Sequence, residues 1–169
     1  MIPWWQPVFN GNEREMLDNA LSSGFVNEGP LTERFEQRVA ELLGVKYAVA
    51  VSSGTAAIYL ALRSAGISLE DWVEVPDISF IATANAVAML GGTRISVEDV
   101  APDGLLDPVA SEDVVPVHLS GRPAYGQSWV VEDACEAFMS KSAGKYLGTI
   151  ALAGCFSFSP QKLITTGQG

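Results

Sequence analysis

The sequence predicts an α/β fold in which helices cover a mostly parallel sheet. Short apolar runs alternate along the chain with segments whose apolar residues recur at helical spacing. Several of these runs end in small, hydroxyl or acidic residues, which are typical of strand ends that open onto a ligand crevice. The 169 residues suffice for one domain with a core. We therefore expect residues 1–169 to form a single domain, with an arm and helices at 1–45 as part of it.

Two helices are predicted in the amino-terminal part of the chain. Residues 13–22 carry apolar side chains at helical spacing, which indicates an amphipathic helix. Residues 31–43 form the second predicted helix, with Thr32 as its cap and Gly44 as its stop signal.

Strands and helices alternate from residue 47 onward. Strands are predicted at 47–51, 73–75, 94–97, 113–118, 129–132 and 154–158. Helices are predicted at 55–65 and 81–90 and near 134–138, and a hairpin-like segment is predicted at 140–150. This alternation is typical of parallel sheets, in which ligands bind beyond the carboxyl ends of the strands.

Composition and charge narrow the classes of function. A formal net charge of −10 argues against nonspecific binding to nucleic acid or to anionic lipid, because both ligands select basic surfaces. No apolar stretch reaches transmembrane length, and no amino-terminal signal pattern is visible. Cys135 and Cys155 lack metal-ligand spacing and lie in apolar runs, so we expect core thiols, no metal site and a reducing cytoplasm.

Lys162 lies just past the last apolar run, in the segment CFSFSPQK (155–162). An amine on a turn beyond a buried strand can act as a nucleophile toward a carbonyl when its neutral form is accessible. The alternative is a solvated surface lysine.

The apolar run 129–131 is followed directly by two acids, Glu132 and Asp133. A carboxylate at a buried strand end needs a partner, and a protonated ring nitrogen would provide one. The alternative is an aspartate that caps a helix beginning at Ala134.

The segment SSGT (52–55) joins an apolar run to a predicted helix. Gly54 permits close backbone approach, and the free amides of a first helical turn attract phosphate. The alternative is an ordinary turn with a serine or threonine cap.

These segments occur in an order that resembles a known family. The chain is similar to the DegT/DnrJ/EryC1/StrS sugar aminotransferases, which are fold-type I pyridoxal-phosphate enzymes. The matching pieces are SGF (23–25), SSGT (52–55), FIATANAV (80–87), PVHLSG (116–121), EDA (132–134) and FSFSPQK (156–162). The resemblance implies a three-layer large domain that binds pyridoxal 5'-phosphate. Because the sequence ends seven residues after Lys162, we expect the small carboxy-terminal domain of such enzymes to be missing.

The resemblance also implies roles for individual residues. Lys162 would bond to the cofactor's aldehyde and shuttle the proton, and Asp133 would pair with the pyridinium nitrogen. Gly54 and Thr55 would bind the phosphate together with Ser157.

Three further side chains complete the expected site and its surroundings. Phe80 would stack on the cofactor ring, with core packing as the alternative. Glu136 would lie near the phenolic oxygen, where similar proteins usually carry glutamine or histidine, so an acid there would repel that oxygen unless protonated. His118 is expected to be a structural histidine at a strand end.

The function that the resemblance implies is transfer of an amino group from glutamate to a keto sugar carried by a nucleotide. Relatives that act as sugar dehydratases have histidine in place of the lysine, so Lys162 favours amino transfer. A homodimer in the cytoplasm is expected. The alternative is a non-catalytic, cofactor-binding or dimer-forming remnant. A third reading, another fold-type I reaction such as lyase chemistry, fits the segment at 80–85 less well.

Overall fold

The computed structural model describes residues 1–3, 5–9, 11–26, 28–107, 113–126 and 129–167. These residues form two compact units, 1–50 and 51–169. The assignment of the whole chain to one domain stays a prediction. No helix within the described ranges is long and apolar enough to cross a membrane.

The first unit contains two helices, as predicted, α1 at Glu13–Ser23 and α2 at Pro30–Leu43. Helix α2 begins with Pro30, whose fixed φ suits a first helical position. It ends at Gly44, whose φ of 69° is left-handed and whose N–H donates back to the Ala40 carbonyl. The prediction that Thr32 caps α2 was wrong, because Gly29 holds the cap position and Thr32 lies inside the first turn.

The predicted strand at 47–51 is not formed in the described part of the chain. A strand requires a neighbour whose backbone continues the ladder, and no described strand pairs with this segment. The Ala50 N–H instead donates to the Glu36 carboxylate at 2.7 Å, and the side chains of Tyr47 and Val49 are exposed.

The second unit is built on parallel strand pairs. Strand β1 (Trp72–Pro76) pairs with β2 (Arg94–Glu98), and β3 (Val131–Asp133) pairs with β6 (Ala153–Cys155). The predicted strand at 113–118 makes only single bridges, from Val114 to Glu74 and from Val117 to Asp133. These bridges still connect the two pairs in parallel, so the predicted α/β class with a parallel sheet is confirmed.

The second unit also contains two helices, a 3-10 turn and a short hairpin. They are helices α3 (Gly54–Ser64) and α4 (Ala82–Ala88), a 3-10 turn (Leu119–Gly121), and the short hairpin of β4 (Lys141–Ser142) and β5 (Lys145–Tyr146). The two helices and the hairpin agree with the sequence-based prediction, although α4 is shorter than expected at both ends.

The helix predicted near 134–138 was wrong, because residues 134–140 form consecutive turns. The Ala137 N–H donates to the Ala134 carbonyl, and the Ser140 N–H donates to the Ala137 carbonyl. Met139 adopts a left-handed φ of 66°, which a continuing helix could not accommodate. No helix begins at Ala134, so the alternative that Asp133 caps such a helix is wrong.

The core of the second unit forms where α3 and α4 meet the parallel strands. It consists of buried apolar residues from both helices and from the strands: Ile58, Leu62, Val73, Val75, Ala86, Val87, Leu90, Val115, Val131 and Cys155. Burying such side chains stabilises the unit by roughly 1.5–3 kcal/mol for each large one. This packing fixes the carboxyl ends of β1 and β3, where the polar side chains discussed below emerge.

Candidate active site

A pocket of about 170 Å³ lies at the carboxyl ends of the parallel strands. All seven site residues predicted from the sequence line it: Gly54, Thr55, Phe80, Asp133, Glu136, Ser157 and Lys162. They come from four separate stretches of the second unit, so the fold brings together groups that are distant in sequence. The chemical roles predicted for them remain predictions.

The amino terminus of α3 forms one wall of the pocket. Ser53 caps the helix, because its hydroxyl accepts the Ala56 N–H at 3.1 Å. Within the described ranges, the N–H groups of Gly54 and Thr55 donate to no protein acceptor. Unpaired amides at the positive end of a helix attract an anion such as phosphate.

Gly54 is required by packing within the protein. A Cβ atom at this position would lie 2.8 Å from Cys135 Sγ and 3.1 Å from Ser157 Cβ. The sequence suggested that the glycine allows a ligand to approach the backbone. The structure adds a second reason, since the turns that carry Cys135 and Ser157 press against the start of α3.

Asp133 ends β3 and is almost fully buried, with 5% of its surface exposed. Its Oδ1 accepts the Cys135 N–H at 3.1 Å, and its Oδ2 accepts the Thr83 hydroxyl at 2.7 Å. A carboxylate has about four acceptor positions, so these two bonds leave capacity for a donor in the pocket. A protonated ring nitrogen is a donor of the required kind.

Lys162 lies in a turn beyond β6, where its N–H donates to the Ser159 carbonyl. Only 11% of its side chain is exposed, which rules out the alternative of a fully solvated surface lysine. Its Nζ lies 3.6 Å from Glu136 Oε1 and 5.7 Å from the centroid of the Phe80 ring. The amine is thus held at the pocket by an acid and an aromatic ring.

Phe80 lies on the turn between β1 and α4, and 60% of it is exposed. Core packing, the alternative considered from the sequence, is therefore wrong. An aromatic face that borders a pocket beside an aspartate and a lysine can stack on a flat ring.

Glu136 connects the lysine to the 3-10 turn. Its Oε2 accepts the Ser120 N–H at 3.0 Å, while its Oε1 faces the ammonium of Lys162. The protein therefore supplies two partners for this carboxylate. The Ser120 contact could not be predicted from the sequence, since sixteen residues separate the two positions.

Ser157 and Ser159 follow β6 and face the amino terminus of α3. Their hydroxyls are 3.3 Å apart, and both residues line the pocket. A hydroxyl at this place can add a donor to the two free amides of α3.

Glu132, the neighbour of Asp133, is fully buried on the other face of β3. It accepts the N–H groups of Gly148, Ile150 and Ala151 and a bond from His118 Nε2 at 2.8 Å. Burial raises the pKa of Glu132, but the bonds from His118 and these three amides outweigh burial, so its pKa lies below the usual range.

His118 is the structural histidine that the sequence predicted. Its Nδ1 accepts the Ala124 N–H at 3.0 Å, so Nε2 carries the ring hydrogen that is donated to Glu132. Trp129 packs edge-on against the ring. Both nitrogens are satisfied inside the protein, and the prediction is confirmed.

The two cysteines differ in position. Cys155 is buried in the core, as predicted, and burial beside the charges of Asp133 and Glu132 raises the pKa of its thiol to about 12. Cys135 is partly buried: it packs against the core and also lines the pocket, so the core prediction holds for it only in part. Burial and the neighbouring Asp133 also raise the pKa of the Cys135 thiol, which makes it a weak nucleophile.

Sequence reasoning missed Thr83. This threonine is fully buried in the first turn of α4, fifty residues before the aspartate that it contacts. The available signal was its place in FIATANAV (80–87), a segment in which Phe80 was the one residue given a role. Within the described residues, no cluster of side chains fits a metal ion.

The chain is similar in sequence to proteins of known function. Residues 8–169 match the sequence pattern of the DegT/DnrJ/EryC1/StrS aminotransferase family. GDP-perosamine synthase of Escherichia coli O157:H7 is 36% identical, over 99% of this chain and 51% of the relative. The corresponding synthase of Vibrio cholerae is 34% identical, over 100% and 51%. Each alignment has more positions than this chain has residues, so the relatives contain segments that this chain lacks.

Solved structures agree with these sequence matches. Spr1654 of Streptococcus pneumoniae in its PLP form superposes with a TM-score of 0.87 at 25% identity, over 98% of this chain and 50% of that one. 3-Amino-5-hydroxybenzoic acid synthase gives 0.87 at 29% identity, over 99% and 48%. The predicted fold-type I architecture is confirmed, and the chain spans about half the length of the relatives it matches. The chain belongs to the DegT/DnrJ/EryC1/StrS aminotransferase family.

Proposed function

We propose that this chain carries the cofactor half of a pyridoxal-phosphate-dependent aminotransferase that acts on a keto sugar attached to a nucleotide. Glutamate is the proposed amino donor, and a homodimer in the cytoplasm is the proposed assembly. The single observation that supports this most is the arrangement of Lys162, Asp133 and the free α3 amides around one pocket. The family depends on pyridoxal phosphate.

The residues that line the pocket fit this cofactor. The cofactor has a phosphate, a basic ring nitrogen, an aldehyde and a flat aromatic face. The α3 amides with Ser157 match the phosphate, Asp133 matches the ring nitrogen, and Phe80 matches the ring face. Lys162 is the amine for the aldehyde. When bound, pyridoxal phosphate supplies an electron sink for the carbon that gains or loses nitrogen.

The protein's own part is to hold charges and protons at defined atoms. Asp133 is buried and ionisable, so it can hold a proton on a ring nitrogen through a charge-assisted hydrogen bond. Lys162 Nζ moves the proton during transfer, and Glu136 Oε1 holds the amine at the pocket.

The substrate class comes from the relatives. The curated relatives include two GDP-perosamine synthases more than 30% identical to this chain. A lysine at position 162, where dehydratases of this family carry histidine, favours amino transfer over dehydration. We therefore propose a GDP-linked keto sugar as the first substrate to test.

A second candidate is cofactor binding without turnover. The observation that favours it is the coverage of only about half of each relative. In that case the pocket would bind pyridoxal phosphate, and the chain would act as a binding or dimer-forming module.

One experiment distinguishes the two candidates. The chain is loaded with pyridoxal phosphate, freed of excess cofactor and mixed with glutamate, and pyridoxamine phosphate and 2-oxoglutarate are quantified in a single turnover. Equal amounts of both products support amino transfer, and GDP-perosamine then replaces glutamate to test the sugar class. Bound cofactor without product supports the second candidate. Failure to bind pyridoxal phosphate contradicts both.

A further inference from the structure

Thr83 lies behind the aspartate of the pocket and is fully buried. It belongs to the first turn of α4, just after the turn that carries Phe80. Its hydroxyl oxygen is 2.7 Å from Asp133 Oδ2 and 3.2 Å from the Phe80 carbonyl oxygen. Its backbone N–H donates to the same carbonyl at 3.1 Å. One residue therefore contacts both the acid and the aromatic turn.

The hydroxyl of Thr83 has a single hydrogen, so it can donate to only one of these acceptors. The carboxylate is the closer and the charged acceptor, and hydrogen bonds to ionised groups are stronger than neutral ones. The Phe80 carbonyl already accepts the Thr83 N–H. The hydroxyl bond therefore belongs to Asp133.

Asp133 consequently has one fixed donor on each oxygen. The Cys135 N–H holds Oδ1, and the Thr83 hydroxyl holds Oδ2. Two bonds at different oxygens determine the plane of a carboxylate, so its unused lone pairs keep a fixed direction. Orientation of this kind matters most for a partner that presents a single N–H.

We propose that Thr83 is a positioning residue that sets the direction in which Asp133 meets the ring nitrogen of the cofactor. This inference rests on the proposed function, since it requires a ring nitrogen in the pocket. Thr83 itself touches no cofactor atom in this scheme. It acts through the carboxylate, and through the Phe80 carbonyl it couples the acid to the ring that stacks.

The test separates positioning from simple core packing. Thr83→Val keeps the shape and removes the hydroxyl, whereas Thr83→Ser keeps the hydroxyl. Thr93→Val is the matched control, because Thr93 is also buried and its hydroxyl bonds to the Ser68 carbonyl, and it does not line the pocket. Each variant binds either pyridoxal phosphate or its 1-deaza analogue, which lacks the ring nitrogen, and equilibrium dialysis gives the dissociation constants.

The expected result is specific to the ring nitrogen. Thr83→Val weakens binding of pyridoxal phosphate about tenfold, as expected for one lost hydrogen bond to a charged group. Its affinity for the deaza analogue stays within about twofold of wild type, because that analogue makes no bond for Asp133 to direct. Thr83→Ser restores the affinity for pyridoxal phosphate, and Thr93→Val leaves both affinities unchanged.

Other outcomes overturn the inference. Equal weakening toward both ligands in Thr83→Val identifies a packing role. Unchanged binding of both ligands shows that Asp133 needs no help from Thr83. If Thr83→Val does not fold, Thr83→Ala takes its place: a loss of affinity for pyridoxal phosphate alone supports positioning, and equal losses toward both ligands contradict it. Failure of wild type to bind pyridoxal phosphate overturns the proposed function itself.

Discussion

The two faces of β3 carry adjacent acids in contrasting states. On one face, Glu132 receives four hydrogen bonds, which match the acceptor positions of a carboxylate. On the other face, Asp133 receives two hydrogen bonds and borders the pocket. Both acids are buried. Burial alone therefore does not mark a functional acid, whereas unused hydrogen-bond acceptor positions that face a cavity do.

The contrast follows from the alternation of a strand. Successive side chains point to opposite faces, so two neighbouring acids must enter two environments. Glu132 faces the turn at 148–151 and His118, and its hydrogen bonds connect the turn to the histidine. Asp133 is the last residue of β3 and borders the pocket, at the end of the strand where ligands bind in parallel sheets. One acid stabilises the scaffold, and the other is available for chemistry.

We expect the greatest change in stability at Glu132, the acid that holds the scaffold together. Glu132→Gln removes the charge that four donors surround and turns one acceptor into a donor facing an N–H. We expect a loss of about 3 kcal/mol in the free energy of unfolding, measured in urea. Glu41→Gln, at an exposed pair with Arg38, is the control and should change stability by less than about 0.5 kcal/mol. Similar losses in the two variants would contradict the comparison.

The next effect tests the acid in the pocket. Asp133→Asn keeps the shape and can still accept the Cys135 N–H, but its amide NH2 faces the Thr83 oxygen as a donor, and the side chain cannot hold a proton on a ring nitrogen. We expect the affinity for pyridoxal phosphate to fall by about thirtyfold, equivalent to ~2 kcal/mol. Unfolding should shift by less than about 1 kcal/mol. A variant that binds like wild type but unfolds easily would assign Asp133 to the scaffold as well.

A third prediction concerns the contact beneath the phosphate site. Gly54→Ala places a methyl group 2.8 Å from Cys135 Sγ, and overpacking of this kind costs about 2 kcal/mol of stability. Adding Cys135→Ala removes that sulfur, so the double variant should recover part of the loss in a thermal unfolding experiment. No recovery would show that the strain lies at Ser157 or in the backbone.

The smallest effect is a pH dependence of stability. The pKa of Glu132 is lowered in the folded state, so its contribution is fully present above the unfolded value of about 4.3 and is lost as pH falls through the folded pKa. The slope from this one group is at most about 1.4 kcal/mol per pH unit. Urea midpoints of wild type should therefore fall more steeply below that value than those of Glu132→Gln. If the urea midpoints of the two proteins fall in parallel, other acidic groups determine the loss of stability at low pH.

The residues that the sequence singled out line one pocket, whereas several predicted helices and strands differ from those in the structure. Lys162, Asp133 and SSGT (52–55) were recognisable because each carries a distinct chemical group at the end of an apolar run. Gly44 also stopped its helix as predicted, since its left-handed φ is a local property.

Features that depend on distant neighbours could not be predicted. The segment 47–51 has strand composition, but a strand needs a partner that local sequence does not name. Thr83 and Ser120 acquire their roles from contacts fifty and sixteen residues away. The turns at 134–140 replace a predicted helix because Asp133 accepts the Cys135 N–H and Met139 takes a left-handed conformation.

The most direct test of the site is chemical trapping at Lys162. The chain is mixed with a slight excess of pyridoxal phosphate, reduced with borohydride and mapped by peptide mass spectrometry. The exposed lysines Lys46, Lys141 and Lys145 serve as internal controls. We expect a pyridoxyl adduct on Lys162 that inorganic phosphate suppresses by competing at the α3 amides. An adduct spread over the three exposed lysines, with Lys162 unmodified, would contradict it.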